Sequence, residues 1–377
     1  MTVFYLCPGK PKDDKGEVHM EVDLVDDLRE SAVSKESDKS LGTPRAKKRV
    51  AQPATKSVAE GIPAKKTPTS KSLKSASTKK TRTSTFGVSK REGHDATDFY
   101  SRFPELKQEQ SGRPVRPEIV DKIFVGDSRD MNSVADNSVA LVVTSPPYYA
   151  GKAYELERGA GGVPGDYVDY LRMLHDVFAE CWRVLEPGGR IAINVANLGR
   201  RPFRSLSGDV IRILQDDIGF LLRGEIIWIK AEGASGSCAW GSFQSAANPV
   251  FRDLTERVVV ASKLRLDRAL TRKQRAAEGF PHVDTISKEA FMEGTLDTWR
   301  LRPESAKRVG HPAPFPVELP KRLIELFTYK DDLVLDPFMG AGTSAIAAIQ
   351  TERHFIGYEM DSEYVELAER RIASEIS

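Results

Sequence analysis

One short motif combines residue types that could hold a planar, amine-bearing ring: Ser145-Pro146-Pro147-Tyr148. The two prolines fix two φ angles and remove two N–H donors, so we expect a stiff loop whose carbonyls point outward and are unpaired. The Ser145 hydroxyl and the Pro146 carbonyl could accept both hydrogens of an exocyclic amine, and Tyr148 could offer a flat face for stacking. Taken alone, the motif is equally compatible with a plain Pro-Pro turn that caps a strand.

A second motif could bind a nucleoside cofactor. It is Asp336-Pro337-Phe338-Met339-Gly340-Ala341-Gly342-Thr343, whose glycines allow a tight turn from a strand into a helix. The first N–H groups of that helix suit a carboxylate or a phosphate. Glu359 follows about 20 residues later, where an acidic side chain can accept hydrogen bonds from two ribose hydroxyls. No Gly-Lys-Ser/Thr follows, and Ala345 replaces the third glycine of G-x-G-x-x-G, so neither a phosphate loop nor the full dinucleotide fingerprint is present.

Both motifs follow apolar runs typical of buried strands, Ala140–Val143 and Leu333–Leu335. Strands and helices alternate from about residue 118, which predicts an α/β fold with a largely parallel sheet and helices on both faces. One helix is expected over Tyr167–Val184, ending at a turn at Pro187-Gly188-Gly189. Because parallel sheets bind ligands at the carboxyl ends of their strands, we expect the two motifs on the rim of one cleft.

The N-terminal part of the chain has a different composition. Residues 45–92 carry 14 Lys or Arg and two acidic residues, whereas residues from 93 onward carry 36 basic and 42 acidic residues, a net charge of −6. We expect a disordered tail over 1–95, basic from about 45, and a catalytic domain over 96–377. The tail suits a tether to nucleic acid phosphates; a solubilising tail or a nuclear or nucleoid address would look the same.

A basic, irregular segment interrupts the alternation over 265–310. It is too long for an ordinary connection, which predicts an inserted subdomain or a binding loop. A solvated, charged helix over Arg265–Glu278 is the simpler alternative. The basic residues of this segment that are candidates for binding are Arg265, Arg268, Arg272, Lys273, Arg275, Lys307 and Arg308.

Composition disfavours several other classes of protein. The cysteines Cys7, Cys181 and Cys238 have neither disulfide nor metal-ligand spacing, which suits a reducing cytosol. The six histidines show no paired metal spacing, so no metal site is predicted. No apolar run approaches the roughly 18 residues that span a bilayer, and the start lacks a signal peptide's basic leader. We expect a cytoplasmic, nucleoid-associated protein.

Together, the motifs resemble the β-group of S-adenosylmethionine-dependent DNA amino-methyltransferases. In that group the target motif precedes the cofactor motif, a circular permutation of the usual class I order, and the resemblance covers about residues 118–374. It implies a Rossmann-like class I methyltransferase fold with a seven-stranded sheet, S-adenosyl-L-methionine as cofactor and double-stranded DNA as substrate. It also implies that the segment over 265–310 is the target-recognition region, and that the candidate basic residues named above for this segment are DNA-binding.

The resemblance assigns further residues to the cofactor. Gly126-Asp127 matches the strand end whose Asp contacts the cofactor adenine, and Glu359 matches the ribose-binding acid. The run His311-Pro312-Ala313-Pro314-Phe315-Pro316 matches the segment before the last cofactor helix, although family members often have Lys where this chain has Phe315. The implied cofactor-binding residues are Asp127, His311, Asp336, Phe338, Gly340, Gly342, Thr343 and Glu359.

The residue before Pro-Pro bears on which base is methylated. Family members with Asp or Asn there generally methylate adenine N6, whereas Ser-Pro-Pro resembles those acting on cytosine N4. We therefore expect cytosine-N4 methylation, with adenine-N6 methylation as the alternative. The base must leave the duplex, because its amine is otherwise paired. Ser145, Pro146, Pro147 and Tyr148 would then hold it for direct, in-line methyl transfer, and Ala150–Gly165 is either a closing loop or plain surface.

Other hypotheses stay open at this point. An RNA or release-factor methyltransferase usually has Asn or Asp before Pro-Pro and places its cofactor motif first. A nucleic-acid-binding protein with an inactive methyltransferase fold would work through its basic tail. A dinucleotide dehydrogenase would need the missing third glycine. A cognate restriction endonuclease is a possible partner, and the sequence leaves monomer and dimer undecided.

Overall fold

The described part of the chain is built on one sheet covered by helices on both faces. The computed structural model describes residues 102, 108–149, 164–197, 202–231, 241–251, 253–304, 309 and 315–376, so the predicted tail over 1–95 lies outside the described residues. The strands are β1 (Lys122–Val125), β2 (Val139–Thr144), β3 (Leu185–Val195), β4 (Leu221–Ile229), β5 (Thr255–Ser262), β6 (Thr298–Arg300), β7 (Leu333–Asp336) and β8 (His354–Glu359). The helices are α1 (Tyr167–Val184), α2 (Leu206–Arg212, continued by a π-helical turn over Ile213–Ile218), α3 (Arg272–Glu278), α4 (Lys288–Gly294), α5 (Glu318–Phe327), α6 (Thr343–Gln350) and α7 (Ser362–Ile376).

The strand order is β1–β8–β7–β2–β3–β5–β4–β6, and only β5 runs against the others. The predicted fold class, an α/β fold with a mostly parallel sheet, is confirmed. Among the described residues the sheet has eight strands instead of the expected seven. The additional strand is β6, which comes from the segment predicted to be irregular and pairs in parallel with β4.

Side-chain alternation in β2 shows how the layers form. All six of its residues are buried, as expected of a central parallel strand. Val142 belongs to a core cluster that includes residues of α1 and α2. Leu141 and Val143 belong to a second cluster, which includes residues of α5 and α6. The sheet is therefore buried on both faces. Polar side chains of a site are consequently expected at the ends of its strands.

The predicted helix over Tyr167–Val184 is present with those bounds, and Asp166 caps it by accepting hydrogen bonds from two backbone N–H groups. The turn predicted at Pro187–Gly189 is wrong, because these residues form an irregular part of β3. Gly188 has a φ of +81° and donates its N–H to the Lys263 carbonyl at 2.9 Å, while the Lys263 N–H donates to the Gly189 carbonyl. Pairing with the end of β5 thus keeps the glycines in the sheet.

Residues 265–285 follow the amino-terminal edge of the sheet. The Lys330 N–H donates to the Val283 carbonyl at 2.9 Å, just before β7 begins. The Arg353 guanidinium donates to Thr285 Oγ1 at 2.7 Å, just before β8 begins. The first part of the predicted target-recognition segment therefore lies at the edge opposite the carboxyl ends of the parallel strands. None of the described helices is long and apolar enough to cross a membrane.

Candidate active site

Two neighbouring strands bring the predicted motifs together. In the register of β2 and β7, Leu141 pairs with Val334 and Val142 pairs with Leu335, so both strands end at the same edge. Thr144, the last residue of β2, donates its hydroxyl to Asp336 Oδ1 at 2.6 Å. The Ser-Pro-Pro-Tyr loop and the glycine loop therefore leave the sheet side by side.

Asp336 shapes the glycine loop from within. It is 2% exposed and accepts hydrogen bonds from Thr144, from Ser344 Oγ at 2.6 Å and from the Phe338 N–H at 3.0 Å. Burial raises the pKa of Asp336 to about 6, against the lowering effect of the Ser344 and Thr144 hydrogen bonds. The predicted cofactor contact of Asp336 stays a prediction, and both of its carboxylate oxygens already accept hydrogen bonds within the protein.

The glycine loop depends on two residues with positive φ. Gly340 has a φ of +51° and Gly342 a φ of +79°. A Cβ at Gly342 would lie 2.9 Å from the Ala368 Cβ on α7, so a larger residue would collide as well as strain the backbone. Thr343 then begins α6 and is buried, while Phe338 is half-buried against the first core cluster.

Two acidic residues stand at the ends of neighbouring strands next to this loop. Glu359 ends β8 and accepts hydrogen bonds from the Gly340 N–H at 2.9 Å and from the Asp361 N–H at 3.1 Å. Asp127 lies two residues beyond β1, which pairs with β8. The hydrogen bond from Arg129 lowers the pKa of Asp127 against the opposing effect of burial, so this carboxylate stays charged.

These hydrogen-bond acceptors fit a cofactor that carries a nucleoside. Glu359 offers carboxylate oxygens for ribose hydroxyls, and Asp127 offers a charged, one-third exposed carboxylate for a ring amine. The two glycines let the chain turn tightly into α6, and the Gly342 position packs against Ala368 of α7. The predicted contact His311 lies outside the described residues, and Phe315 is half-buried against the second core cluster.

The target loop is held by hydrogen bonds on both sides. The Tyr148 hydroxyl lies 2.8 Å from Ser145 Oγ, and Ser145 Oγ donates to the Asn194 carbonyl at 3.2 Å. Tyr170 on α1 donates its hydroxyl to the Pro147 carbonyl at 2.6 Å, so that carbonyl is paired, contrary to expectation. Pro146 and Tyr148 are buried, with Tyr148 8% exposed, and the predicted stacking face of Tyr148 therefore stays a prediction.

Three polar residues of this site were missed by the sequence prediction: Asn194, Lys230 and Glu256. Glu256 Oε2 accepts hydrogen bonds from the Tyr148 hydroxyl at 2.9 Å and from Asn194 Nδ2 at 2.6 Å. Glu256 Oε1 accepts one from Lys230 Nζ at 2.9 Å. Asn194 is 1% exposed, and its Oδ1 has no hydrogen-bond partner among the described residues. The usable signal was a polar residue within an apolar strand, as Asn194 interrupts Ile191–Val195.

The DNA-binding role predicted for Arg268 and Arg275 is wrong for the structure as it stands, because both guanidinium groups are buried. Their side chains are 7% and 1% exposed. Both pair with Glu186 and with Asp332 at the amino-terminal edge of the sheet. Burial alone would lower the pKa of Arg268, but the charges of Asp332 and Glu186 outweigh it and raise the pKa. These arginines act as an internal anchor and cannot reach a phosphate.

The other predicted DNA contacts are spread over different places. Arg265 pairs with Asp267 and is mostly buried, whereas Arg272 is exposed and pairs with Asp284 at 3.0 Å. Lys273 is exposed on α3. Lys307 and Arg308 lie outside the described residues. The described basic residues of this set do not come together with Ser145, because they lie along the opposite edge of the sheet.

Comparison with known proteins agrees with the site. The family of N6/N4 methyltransferases described as DNA methylase matches residues 139–370. A type II methyltransferase of Methanocaldococcus jannaschii, M.MjaI, is 29% identical over an alignment covering 67% of this chain and 90% of the relative. The DNA adenine methyltransferase YhdJ of Escherichia coli K12 is 26% identical, covering 66% of this chain and 82% of the relative.

A solved structure matches as well. It is that of a candidate DNA modification methylase from Thermus thermophilus in complex with S-adenosyl-L-methionine. The identity is 32%, with 68% of this chain and 95% of that chain covered and a TM-score of 0.53. The family match spans more than half of the sequence and includes both motifs that meet at the ends of β2 and β7, so this chain belongs to the N6/N4 DNA methylase family.

Proposed function

We propose that this DNA methyltransferase methylates the N4 amine of cytosine in double-stranded DNA. The observation that carries the proposal is the residue that follows β2: Ser145, a neutral hydroxyl placed beside the glycine loop by the Thr144–Asp336 hydrogen bond. A hydroxyl oxygen suffices to accept a hydrogen from an exocyclic amine. The resemblance of Ser-Pro-Pro to cytosine-N4 enzymes supports this choice of base.

S-adenosyl-L-methionine is the cofactor, and when bound it supplies an electrophilic methyl group. Glu359 would accept hydrogen bonds from the ribose hydroxyls, and Asp127 would accept one from the adenine amine. Gly340 and Gly342 would give the loop the positive φ angles of its tight turn beside the ligand. The relative from Thermus thermophilus that was solved with this cofactor supports the assignment.

The target base would be turned out of the duplex to reach Ser145. The Ser145 hydroxyl and the Pro146 carbonyl would accept the two amine hydrogens, which turns the nitrogen lone pair out of the ring conjugation. Tyr148 would contact the ring. The Glu256 network would keep the two hydroxyls of Ser145 and Tyr148 in place, and holding both reactants in one orientation would account for much of the rate gain.

Adenine N6 is the second candidate. One observation favours it: the relative from Escherichia coli is named a DNA adenine methyltransferase. The amines of adenine and cytosine are chemically similar, so a neutral hydroxyl could orient either of them. Identification of the methylated product therefore decides between the two bases.

The product can be identified in DNA from a methylation-deficient bacterial strain that expresses the full chain. We expect N4-methylcytosine by mass spectrometry of nucleosides, and long-read sequencing would locate it in one DNA word. Ser145→Ala should abolish the mark, whereas Ser374→Ala, at an exposed serine of α7, should retain it. N6-methyladenine alone would replace the base assignment. DNA binding without either mark would favour a nucleic-acid-binding protein with an inactive fold.

The partner is a second part of the proposal. The relative from Methanocaldococcus jannaschii is named a type II methyltransferase, which supports a role beside a cognate restriction endonuclease. Such an endonuclease would have to cut the same DNA word. Protection of that word from cleavage in DNA of the expressing strain would support the pairing.

A further inference from the structure

The connection between β4 and β5 begins and ends beside the target loop. Ile229 and Thr255 are the last pair of the two strands at this edge. Lys230 and Glu256, the residues next to this pair, are joined by an ion pair of 2.9 Å. Because Glu256 also accepts the hydrogen bond from the Tyr148 hydroxyl, this connection leaves and re-enters the sheet at the active site.

Residues 241–251 of this connection form an ordered turn, which we name the 241–251 loop. Gly241 and Pro249 form an antiparallel bridge. The Ser242 N–H donates to the Asn248 carbonyl at 2.8 Å, and the Asn248 N–H donates back to Ser242 Oγ at 2.7 Å. Gly241 has a φ of +66°, and a Cβ there would collide with the Asn248 carbonyl oxygen. The loop therefore has a defined shape of its own.

The surface of this loop is apolar and uncharged. Phe251 is fully exposed, Phe243 is 65% exposed and Val250 is 37% exposed. The eleven residues contain no charged side chain and otherwise consist of Gly, Ser, Gln, Ala, Asn and Pro. Exposed apolar side chains that are grouped in one loop at the edge of a site are typical of an interaction surface. An uncharged surface suits contact with bases more than contact with phosphates.

The position of the 241–251 loop beside the target loop favours DNA as its partner. The buried arginines Arg268 and Arg275 anchor the opposite edge, so the substrate must be met by elements at the edge of Ser145. Proteins that distort DNA insert apolar side chains such as Phe between base pairs. Extrusion of a base leaves a gap in the stack of the kind an aromatic ring can fill.

We propose that the 241–251 loop contacts the DNA duplex beside the extruded base, with Phe251 inserted into the base stack. This inference rests on the proposed function only in that a base is turned out at Ser145. It adds a DNA-contacting element outside the target and cofactor motifs and outside the basic segment over 265–310. A second copy of this chain would be the competing occupant of the same surface.

Photo-crosslinking of the full-length protein tests the contact directly. A benzophenone amino acid replaces Phe251 in one sample and Val115 in a control. Val115 is 46% exposed, and its N–H donates to the Asn137 carbonyl at 2.8 Å just before β2 begins, at the opposite edge of the sheet. With sheared, unmethylated plasmid DNA as the probe, we expect protein–DNA adducts from position 251 and none from position 115. Adducts only between protein chains, or no DNA adduct, would overturn the proposal.

A kinetic comparison gives the second readout. Phe251→Ala should raise the KM for DNA by about ten-fold or more through loss of stacking, and leave the affinity for S-adenosyl-L-methionine unchanged. Val115→Ala should change both by less than about two-fold. Equal KM values for DNA in the wild type and in Phe251→Ala, with methylation intact, would contradict the loop proposal without contradicting the proposed function. DNA adducts from position 251 without any methylated base would support the loop contact and contradict the proposed function.

Discussion

Glu256 is the residue on which the hydrogen bonds beneath the target loop converge. Its carboxylate accepts hydrogen bonds from a hydroxyl, a carboxamide and an ammonium group, belonging to Tyr148, Asn194 and Lys230. It is 8% exposed, so these bonds replace those it would make with water. Glu256 thereby positions Ser145 and Tyr148, although it contacts neither substrate nor cofactor in the proposed mechanism.

Glu256→Gln should lower kcat while sparing the affinity for S-adenosyl-L-methionine. The amide presents N–H donors where Asn194 and Lys230 also present donors, so the network loses at least one charge-assisted hydrogen bond, and kcat should fall about ten-fold or more. Steady-state methylation of plasmid DNA separates kcat from KM. The control is Glu225→Gln on β4, whose ion pair with Arg257 is 4.0 Å long and partly exposed. An equal loss in both variants would refute the positioning role.

Asp336 gives the site a dependence on pH. Burial raises its pKa to about 6 in the folded protein, above the roughly 3.9 of an unfolded aspartate. The folded state therefore holds the proton more tightly, so the stabilising contribution is complete below about pH 4 and is lost as the pH rises through about 6. Asp336→Asn cannot ionise and lacks this loss.

Between about pH 4 and 7, the free energy of unfolding of the wild type should consequently fall relative to Asp336→Asn, by at most about 3 kcal/mol. Urea unfolding of both proteins across this range measures the difference. Only the change of the difference with pH is diagnostic, because the substitution also alters the hydrogen bonds with Thr144 and Ser344. Parallel pH profiles would contradict a raised pKa.

The positions of the motifs at the strand ends could be predicted from the sequence better than the buried residues that support them. Ser145, Gly340 and Glu359 each follow an apolar run, which predicts a place at the end of a strand. Glu256 and Lys230 are charged residues at strand ends, where charge is ordinary, so nothing in their own surroundings indicates that they meet. Their pairing depends on β5 lying antiparallel between β3 and β4, which is a property of the whole sheet.

At the scale of elements, the basic segment after β5 shows why positive charge in the sequence is a poor guide to which residues contact DNA. Arg272, Lys273 and Arg275 are neighbours on one short helix, yet only Arg275 points into the protein. A seven-residue helix shows one buried position, which is too little for its periodicity to reveal the inner face. The partners, Glu186 and Asp332, come from distant parts of the sequence, so only the fold brings the four charges together.

Arg275→Met tests whether this segment anchors the fold or binds DNA. Removal of one guanidinium leaves Glu186 and Asp332 with Arg268 alone, and loss of a partner from a buried ion pair costs about 3–5 kcal/mol of stability. Arg272→Met, at an exposed arginine of the same helix, should cost less than about 1 kcal/mol. Thermal or urea unfolding gives both values. A loss of DNA affinity in Arg275→Met without a loss of stability would restore the DNA-binding interpretation.

The helices and strands that the sequence predicted best are those with a long, regular pattern. Tyr167–Val184 has one buried stripe and a capping Asp166, and its predicted bounds agree with α1. Gly188 misled the prediction, because glycine pairs are typical of turns and only pairing with Lys263 shows that the chain continues in the sheet. β6 is three residues long and carries no detectable alternation.

At the scale of the whole molecule, the charge is divided between two parts of the chain. The basic stretch over 45–92 precedes a catalytic part with a net charge of −6, which by itself would repel DNA. At the active-site edge, the 241–251 loop is uncharged, and Lys230 is neutralised by Glu256. The tail is therefore the part of the sequence with the largest excess of positive charge, and we propose that it supplies non-specific attraction to phosphates.

Replacement of the 14 Lys and Arg residues of 45–92 by Gln should weaken binding to DNA of any sequence and leave kcat unchanged. Each neutralised phosphate releases counterions, so the slope of log affinity against log salt concentration should become shallower by about 0.9 for every phosphate that the tail no longer neutralises. A matched variant with each Lys of the stretch replaced by Arg keeps the charge and should keep the slope. Fluorescence anisotropy with one labelled duplex across a salt series measures both. If the Gln variant retained the wild-type slope, the attraction would have to reside in the catalytic part, whose net negative charge would then need a local basic surface to overcome it.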